Sequence, residues 1–209
     1  TRIGFILKGI VVGILVGFVV SLFRLGIEKI GEQVVHLYQT FHEKPFWMIP
    51  WFLFSLVLAY LLGRLIKSEP AIKGSGIPQV EGQLQGQLEI HWFPVLWKKF
   101  IGGILAISPG LFLGREGPSI QLGAVVGQGY SQWRQSTKSE EKILISSGAS
   151  AGLAAAFNAP IAGLLFVLEE VHHSFSPLVW LTSFSAAISA NFVSLHFFGL
   201  QPVLYIGPV

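Results

Sequence analysis

Long apolar runs separated by short polar segments make up most of this sequence. Residues 6–23 form the first run, which is long enough to cross a hydrocarbon core of about 30 Å and predicts a helix continuing into the more polar stretch 24–38. Residues 46–62 predict a second membrane span, and residues 178–198 predict the last one. These three runs have the pattern of membrane-spanning helices.

Between the second and last spans, the apolar segments are shorter and are punctuated by glycine and proline. Residues 94–113 are interrupted at Gly102-Gly103 and Pro109-Gly110, and residues 74–88 are too short and polar to span. Further short helices are predicted over 117–133, 140–157 and 161–171, and the small residues 146–156 favour close helix packing. Irregular backbone at membrane depth is tolerated where it lines a cavity, which is how transporters build binding sites. The pattern predicts an all-α membrane protein, a bundle of tilted and broken transmembrane helices.

Composition supports this class. Of 209 residues, 52% are hydrophobic and 12% are charged, whereas soluble domains carry about 25% charged residues. The net charge is +3 without a basic stripe, so nucleic acid is not an expected partner. Arg64, Lys67 and Lys73 follow the second span, which assigns that end to the cytoplasm. We expect one membrane domain over residues 1–209, in the lipid bilayer of a cell membrane.

The sequence contains no pattern typical of an enzyme or a metalloprotein. There is no cysteine and no aspartate, and the six histidines are scattered or directly adjacent, so no metal site is predicted. No grouping of serine, histidine and acid suggests a catalytic triad. We expect a transporter that needs no cofactor.

A single acidic side chain interrupts the apolar middle of the chain. Glu116 lies within the run Gly114-Arg115-Glu116-Gly117-Pro118. Residues 100–113 before this run and residues 119–130 after it are uncharged. Charges at membrane depth are costly and usually functional. Glycine followed by proline predicts a helix start, whose free N–H groups and dipole attract anions. A carboxylate attached to an anion site occupies it when deprotonated and is free to leave when protonated, which would couple an anion to a proton.

A second glycine-rich helix start precedes this one. The run Lys73-Gly74-Ser75-Gly76-Ile77-Pro78 again places proline at a predicted start, and the Ser75 hydroxyl and following N–H groups are donors for an anion. A halide that must be released requires partial charges rather than a full cation. Lys73 precedes the glycines of the first helix start, and Arg115 lies within the second motif. No other lysine or arginine lies directly beside the two helix starts in the sequence. The two starts predict a path with at least two anion positions.

Both motifs also have simpler interpretations. The serine loop fits an ordinary cytoplasmic turn, since glycine and serine are favoured there. It does not fit a phosphate-binding loop, because its lysine precedes the glycines. Glu116 fits a structural ion pair with Arg115, although adjacent helix residues do not face each other. The residues alone leave the turn and the ion pair open.

Three motifs in order carry a family resemblance: Gly-Ser-Gly-Ile-Pro at 74–78, Gly-Arg-Glu-Gly-Pro at 114–118 and Ala-Ala-Phe-Asn-Ala-Pro at 155–160. Together they resemble the CLC family of chloride channels and chloride/proton antiporters, along essentially the whole chain. The resemblance implies a fold of two inverted halves with the anion path between them. The chain is similar to the first half only, so the second half of the transporter is an expected partner.

The resemblance implies a role for each site residue. Ser75 would coordinate the central anion, and Glu116 would be the gating glutamate that competes for the outer site, with Arg115 beside it. The implied anion-binding set comes from both helix starts and consists of Ser75, Gly76, Ile77, Pro78, Gly117 and Pro118.

Glu170 matches the internal glutamate that passes protons in exchangers; its simpler interpretation is a solvated acid at a helix end. Glu81 and Lys99 are implied to pair near that entrance, or to form a plain surface salt bridge. The run Ser108-Pro109-Gly110 departs from the glycines that family members often carry.

The function implied is secondary active exchange of chloride against protons, with chloride and protons as substrates. One alternative is a passive chloride channel of the same family, against which Glu170 argues. Another is an assembly module that dimerises through residues 161–198 without transporting anything. A homodimer through 161–198 is expected in either transporter, in a membrane such as the bacterial inner membrane.

Overall fold

A computed structural model describes residues 2–111, 113–172 and 176–199, and all regular elements in these ranges are helical. The helices are α1 Arg2–Glu43, α2 Met48–Ser68, α3 Ile77–Leu84, α4 Trp92–Ile107, α5 Glu116–Trp133, α6 Lys138–Phe157, α7 Pro160–Phe166 and α8 Pro177–Phe198. Single 3-10 turns, Pro45–Trp47 and Pro70–Ile72, lie on either side of α2, and the π-helical turn Val167–Val171 follows α7. The prediction of an all-α chain is confirmed.

Three helices in the described ranges are long and apolar enough to cross a membrane: Arg2–Glu43, Pro45–Ser68 with its leading turn, and Pro177–Phe198. They correspond to the three predicted spans. No residue of α2 is buried within the described part of the chain, so this helix lies at the outside of the bundle. The remaining helices have between 7 and 20 residues.

Three features of the helices differ from the sequence prediction: the course of α4 at its glycine pair, the end of α1 and the π-helical turn. Helix α4 continues through Gly102-Gly103 without a break. A Cβ at Gly103 would lie 2.8 Å from the Phe23 ring, so the glycine makes room for this side chain instead of ending the helix. The second predicted interruption is present, since α4 ends at Ile107. Helix α1 extends to Glu43, so the turn before the second span is shorter than expected. The π-helical turn had no signal in the pattern.

The core of the bundle is formed by α1, α5, α6 and α8, and the most extensive contact joins α5 to α6. These two helices touch backbone to backbone, with Gly123 against the Gly148 carbonyl and Gly148 against the Gly123 carbonyl. Small residues let helices in a membrane approach this closely. The tight pair fixes the position of the α5 start, where the glutamate motif lies.

Contacts between helix ends define one basic face of the bundle. Lys8 near the start of α1 forms a salt bridge with Glu140 in the first turn of α6. Lys98 of α4 reaches the Ser68 carbonyl oxygen at the end of α2. The basic residues Arg64, Lys67, Lys138 and Lys142 belong to the same helix ends. Lysine and arginine are therefore concentrated at these helix ends, and the cytoplasmic position of this side stays a prediction.

Candidate functional site

The serine loop leads into α3 through a left-handed backbone conformation. Gly76 caps the helix with φ of 92°, a value that glycine adopts without strain. The Ile77 backbone N–H faces the Ser75 hydroxyl oxygen at 3.4 Å, and Pro78 lies in the first turn. Ser75 is exposed, whereas Gly76 is buried. The loop therefore presents its hydroxyl outward at the start of a helix.

A buried lysine of α4 is hydrogen-bonded to the backbone of the serine loop. The Lys99 ammonium donates hydrogen bonds to the Ile72 carbonyl oxygen at 2.9 Å and to the Gly74 carbonyl oxygen at 2.7 Å. Only 4% of Lys99 is exposed. Lys73 directly precedes the loop in the sequence, and the fold brings a second cation, Lys99, to it from α4. Because its donors are directed at carbonyl groups, it fixes the loop rather than facing the Ser75 hydroxyl.

The implied pairing of Glu81 with Lys99 stays a prediction. A Glu81 carboxylate oxygen accepts a hydrogen bond from the Gln85 side-chain amide at 3.1 Å. Glu81 lies on α3, whose start carries the serine loop, so it belongs to the same part of the fold as Lys99.

The glutamate motif forms the start of α5. Glu116 is the first residue of this helix, and the Ser119 N–H donates to the Arg115 carbonyl oxygen at 3.1 Å. The N–H groups of Glu116 and Gly117 therefore precede the first helical hydrogen bond, as is general at helix starts. The Glu116 carboxylate bends back over Gly114, where a Cβ would overlap it. The acid thus belongs to a helix start whose first N–H groups have no helical acceptor.

The two helix starts are in direct contact. A Cβ at Gly117 would lie 2.6 Å from the Ser75 carbonyl oxygen and 2.8 Å from its Cα, so only glycine fits here. Gly76 in turn packs against the side chain of Gln121, one turn further along α5. The backbone therefore brings the two predicted helix starts together, while the predicted anion positions stay a prediction.

Two cavities meet at Glu116. The first, which we call the α4 cavity, has a volume of about 520 Å³, and its lining includes Ser75, Lys99, Glu116 and Gly117. The second, the α7 cavity, has a volume of about 350 Å³, and its lining includes Glu116, Phe157 and Ala159 of the third motif. Ile77 and Glu116 line both cavities. Residues of all three sequence motifs thus line these two neighbouring cavities, and the acid borders both.

The structure separates Glu116 from the simple ion-pair interpretation. The Arg115 guanidinium donates from Nη1 to a Glu28 carboxylate oxygen at 3.2 Å, and Glu28 lies on α1. Among the salt bridges of the described residues, Arg115 pairs with Glu28. Glu116 lies over Gly114 instead, on the cavity side.

Glu170 lies away from both cavities, on the π-helical turn, and its side chain is exposed. Its neighbour His172 lies close to α6, with its ring Nδ1 2.6 Å from the Ser146 hydroxyl oxygen. Residue 173, the second histidine of the pair, lies outside the described residues. The internal proton role of Glu170 stays a prediction.

The fold adds two residues that the sequence did not single out. Gln121 is fully buried and donates from Nε2 to the Ala71 carbonyl oxygen at 2.7 Å, which ties α5 to the segment before the serine loop. Glu28, the partner of Arg115, is the other. A polar residue inside the uncharged stretch 119–130 was the available signal for Gln121; nothing in the sequence pointed to Glu28.

Comparison with known proteins gives consistent matches. The family model described as voltage gated chloride channel matches residues 54–209. The H(+)/Cl(-) exchange transporter ClcA of Vibrio cholerae serotype O1 is 38% identical over 170 residues, covering 79% of this chain and 36% of that protein.

Two solved structures have the same fold. The crystal structure of a slow cyanobacterial Cl-/H+ antiporter matches with a TM-score of 0.87 at 32% identity, over 99% of this chain and 49% of that chain. That of a CLC-type fluoride/proton antiporter matches with a TM-score of 0.75 at 26% identity, over 98% and 49%. The chain spans about half the length of these antiporters. The resemblance read from the three motifs is confirmed: this chain belongs to the voltage-gated chloride channel family, the CLC family, and has its all-helical membrane fold.

Proposed function

We propose that this chain forms the first half of a chloride/proton antiporter, in which Glu116 is the gate. The observation that carries the proposal is the position of Glu116 at the junction of the α4 and α7 cavities. An acid at that junction has access to two spaces and to free N–H donors at the same time. The relatives described as Cl-/H+ antiporters support the same substrates.

Anion binding rests on partial charges. The starts of α3 and α5 touch each other through Ser75 and Gly117, so their dipoles and free N–H groups are directed at a common region. The Ser75 hydroxyl adds a donor, and the backbone of Gly76, Ile77, Gly117 and Pro118 surrounds it. Several weak contacts of this kind replace the water around a chloride ion. Because none of them is a full positive charge, the ion is released readily.

Proton coupling follows from competition for that region. As a carboxylate, Glu116 takes the place of an anion at the α5 start and blocks the junction. As a neutral acid it loses the attraction to the dipoles, so chloride replaces it and the junction opens. One protonation event is therefore linked to each exchange of carboxylate for chloride. Glu170, on the cytoplasmic side of α7, supplies protons from within.

The cavities are open on one side, where Ser75 and Glu116 are exposed. In the proposed function the second half of the transporter covers this side and completes the anion site. The protein then works in a cell membrane, the bacterial inner membrane by comparison with its bacterial relatives.

A second candidate, an assembly module, is favoured by the outer face of α7 and α8. Ile161 is 63% exposed and Phe192 is 75% exposed, although both are large and apolar. Exposed apolar side chains of this kind suit a helix interface or lipid. In the proposed function the same face joins two copies into a homodimer; in the module it is the whole function.

Reconstitution in liposomes separates the candidates. Chloride efflux and proton movement are measured together, for this chain alone and for a polypeptide in which it is joined to a second half. We expect chloride flow to drive protons against their gradient in the complete protein. Chloride flow without proton movement would indicate a passive channel. Absence of both in the complete protein would leave the assembly module.

A further inference from the structure

A three-residue charge cluster lies behind the gate, outside both cavities. One Glu28 carboxylate oxygen accepts hydrogen bonds from Arg24 Nε at 2.8 Å and from Arg115 Nη1 at 3.2 Å. The Arg24 guanidinium lies over the Phe198 ring, 3.8 Å from its centroid, and Arg24 is 7% exposed. The cluster therefore joins α1, the start of α5 and the end of α8.

The two arginines constrain Glu28 from opposite sides. Arg24 is four residues before Glu28 on α1, the spacing at which helix side chains meet. Its packing on Phe198 leaves it little freedom, so Glu28 has a fixed partner and a fixed orientation. The carboxylate then offers Arg115 an acceptor on the α1 side of the α5 start.

Arg115 directly precedes the gate, and this makes its direction important. Arg24, Glu28 and Glu116 are charged groups near its guanidinium. Only the last two are negative, so they are the alternative partners for this cation. Without Glu28, Glu116 would be the remaining negative partner among these groups.

We propose that Glu28 is a positioning residue that holds the Arg115 guanidinium away from the Glu116 carboxylate. The proposal rests on the proposed function of Glu116 as the gate. A permanent cation bound to that carboxylate would favour its charged form, so it would take up a proton only at a lower pH and would yield its place to chloride less readily. Glu28 keeps the cation occupied, so the gate responds to protons and chloride alone.

Within the described ranges, the other charged groups near Glu116 lie on α4 and α3 and are not bound to Glu28. From α4, Lys98 and Lys99 line the same cavity, and Lys99 is bound to loop carbonyls. In the described part of the chain, the remaining lining of the α7 cavity is uncharged, with residues from α3, α5, α6 and α7. On α3, Glu81 lies two turns beyond the serine loop. Arg115 is therefore the cation whose direction depends on Glu28.

The first test compares pH profiles of proton-coupled chloride transport in the complete protein. Protonation of a carboxylate paired with a guanidinium requires a lower pH, by about 1 unit or more. We expect Glu28→Gln to move the pH of half-maximal transport down by that amount. Glu28→Asp, which keeps the charge, should restore most of the native profile. Glu32→Gln, an exposed acid one turn further along α1, is the matched control and should leave the profile unchanged.

A double variant distinguishes positioning from a merely structural role. In Glu28→Gln with Arg115→Gln the freed cation is absent, so the acid shift should disappear. A double variant that keeps the full shift, or a Glu28→Gln profile that overlays the native one, would overturn the proposal. If native transport is not proton-coupled, the proposed function fails. A structure of the Glu28→Gln variant then tests the positioning role of Glu28 independently. Arg115 within salt-bridge distance of Glu116 supports the positioning role; Arg115 in its native place rejects it.

Discussion

Gly117 of α5 lies against the backbone of Ser75, so closely that a Cβ on Gly117 would stand 2.6 Å from the Ser75 carbonyl oxygen. This contact joins the two helix starts that the sequence places 42 positions apart. The proposed anion site is therefore built on a packing contact between two backbones, which leaves no room for a methyl group at Gly117.

Gly117→Ala should lower chloride affinity while the bundle remains folded. The new methyl group meets backbone, which moves less readily than a flexible side chain, so the serine loop must shift away from α5. We expect the dissociation constant for chloride to rise about tenfold, equal to about 1.4 kcal/mol, in calorimetric titration of the purified protein. Gly63→Ala on α2 is the control, because a Cβ there meets nothing within 4 Å. Equal chloride affinity in both variants would refute the contact.

Lys99→Met should loosen the serine loop. The variant removes the ammonium that binds the Ile72 and Gly74 carbonyl oxygens, and methionine fills the space without donating. Hydrogen bonds to charged groups contribute about 1.5–3 kcal/mol each, so amide exchange at residues 74–77 should be at least several-fold faster.

The neighbouring variant Lys98→Met provides the control for this prediction. The Lys98 ammonium donates a long hydrogen bond, 3.4 Å, to the Ser68 carbonyl oxygen at the end of α2 and lies 5.6 Å from the Trp97 ring centroid. Its exchange rates over 74–77 should match those of the native protein. Loop protection that survives Lys99→Met would show that Gln121 and packing alone hold the loop.

The sequence predicted the helices better than the contacts between them. Each apolar run, and each start marked by glycine and proline, corresponds to a helix in the described ranges, because burial in lipid and the geometry of proline act locally. The roles of Gly102-Gly103 were misjudged because glycine serves helix breaking and helix contact alike. Only the neighbouring side chains, Leu65 at Gly102 and the Phe23 ring at Gly103, distinguish the two.

The site was predicted in its motifs but not in its supports. Ser75, Glu116 and Gly117 were recognisable because glycine and proline mark helix starts within a few residues of sequence. Lys99 is 24 positions from Ser75, and Glu28 is 87 positions from Arg115, so their roles depend on helix packing that no local pattern encodes. The cation beneath the loop and the acid behind the gate therefore required the structure.

Gly148→Ala should destabilise the bundle. A Cβ at this position would collide with the Gly123 carbonyl across the α5–α6 contact, and overpacking typically costs about 1–3 kcal/mol. We expect a lower midpoint of thermal unfolding in detergent than for Gly63→Ala, which has open space around it. Matching midpoints for the two variants would show that α5 and α6 separate without cost.

Glu170→Gln should reduce proton uptake while chloride efflux continues. The variant removes the acid expected to deliver protons from the cytoplasmic side, and it leaves the helix starts intact. Both rates are measured in the same liposomes. Glu169→Gln is the matched control, since Glu169 is also exposed on the π-helical turn. Proton uptake that is unchanged in Glu170→Gln, or equally reduced in both variants, would assign Glu170 to the solvated surface.

The central claim is that one carboxylate, placed between two cavities, competes with chloride and carries the proton. Glu116→Gln tests it most directly, because glutamine keeps the shape of the side chain and cannot release or take up a proton. Chloride efflux and proton uptake are measured together from liposomes that contain the complete protein. The account predicts that chloride efflux persists and proton uptake falls to background. Proton transport that continues in Glu116→Gln would contradict it.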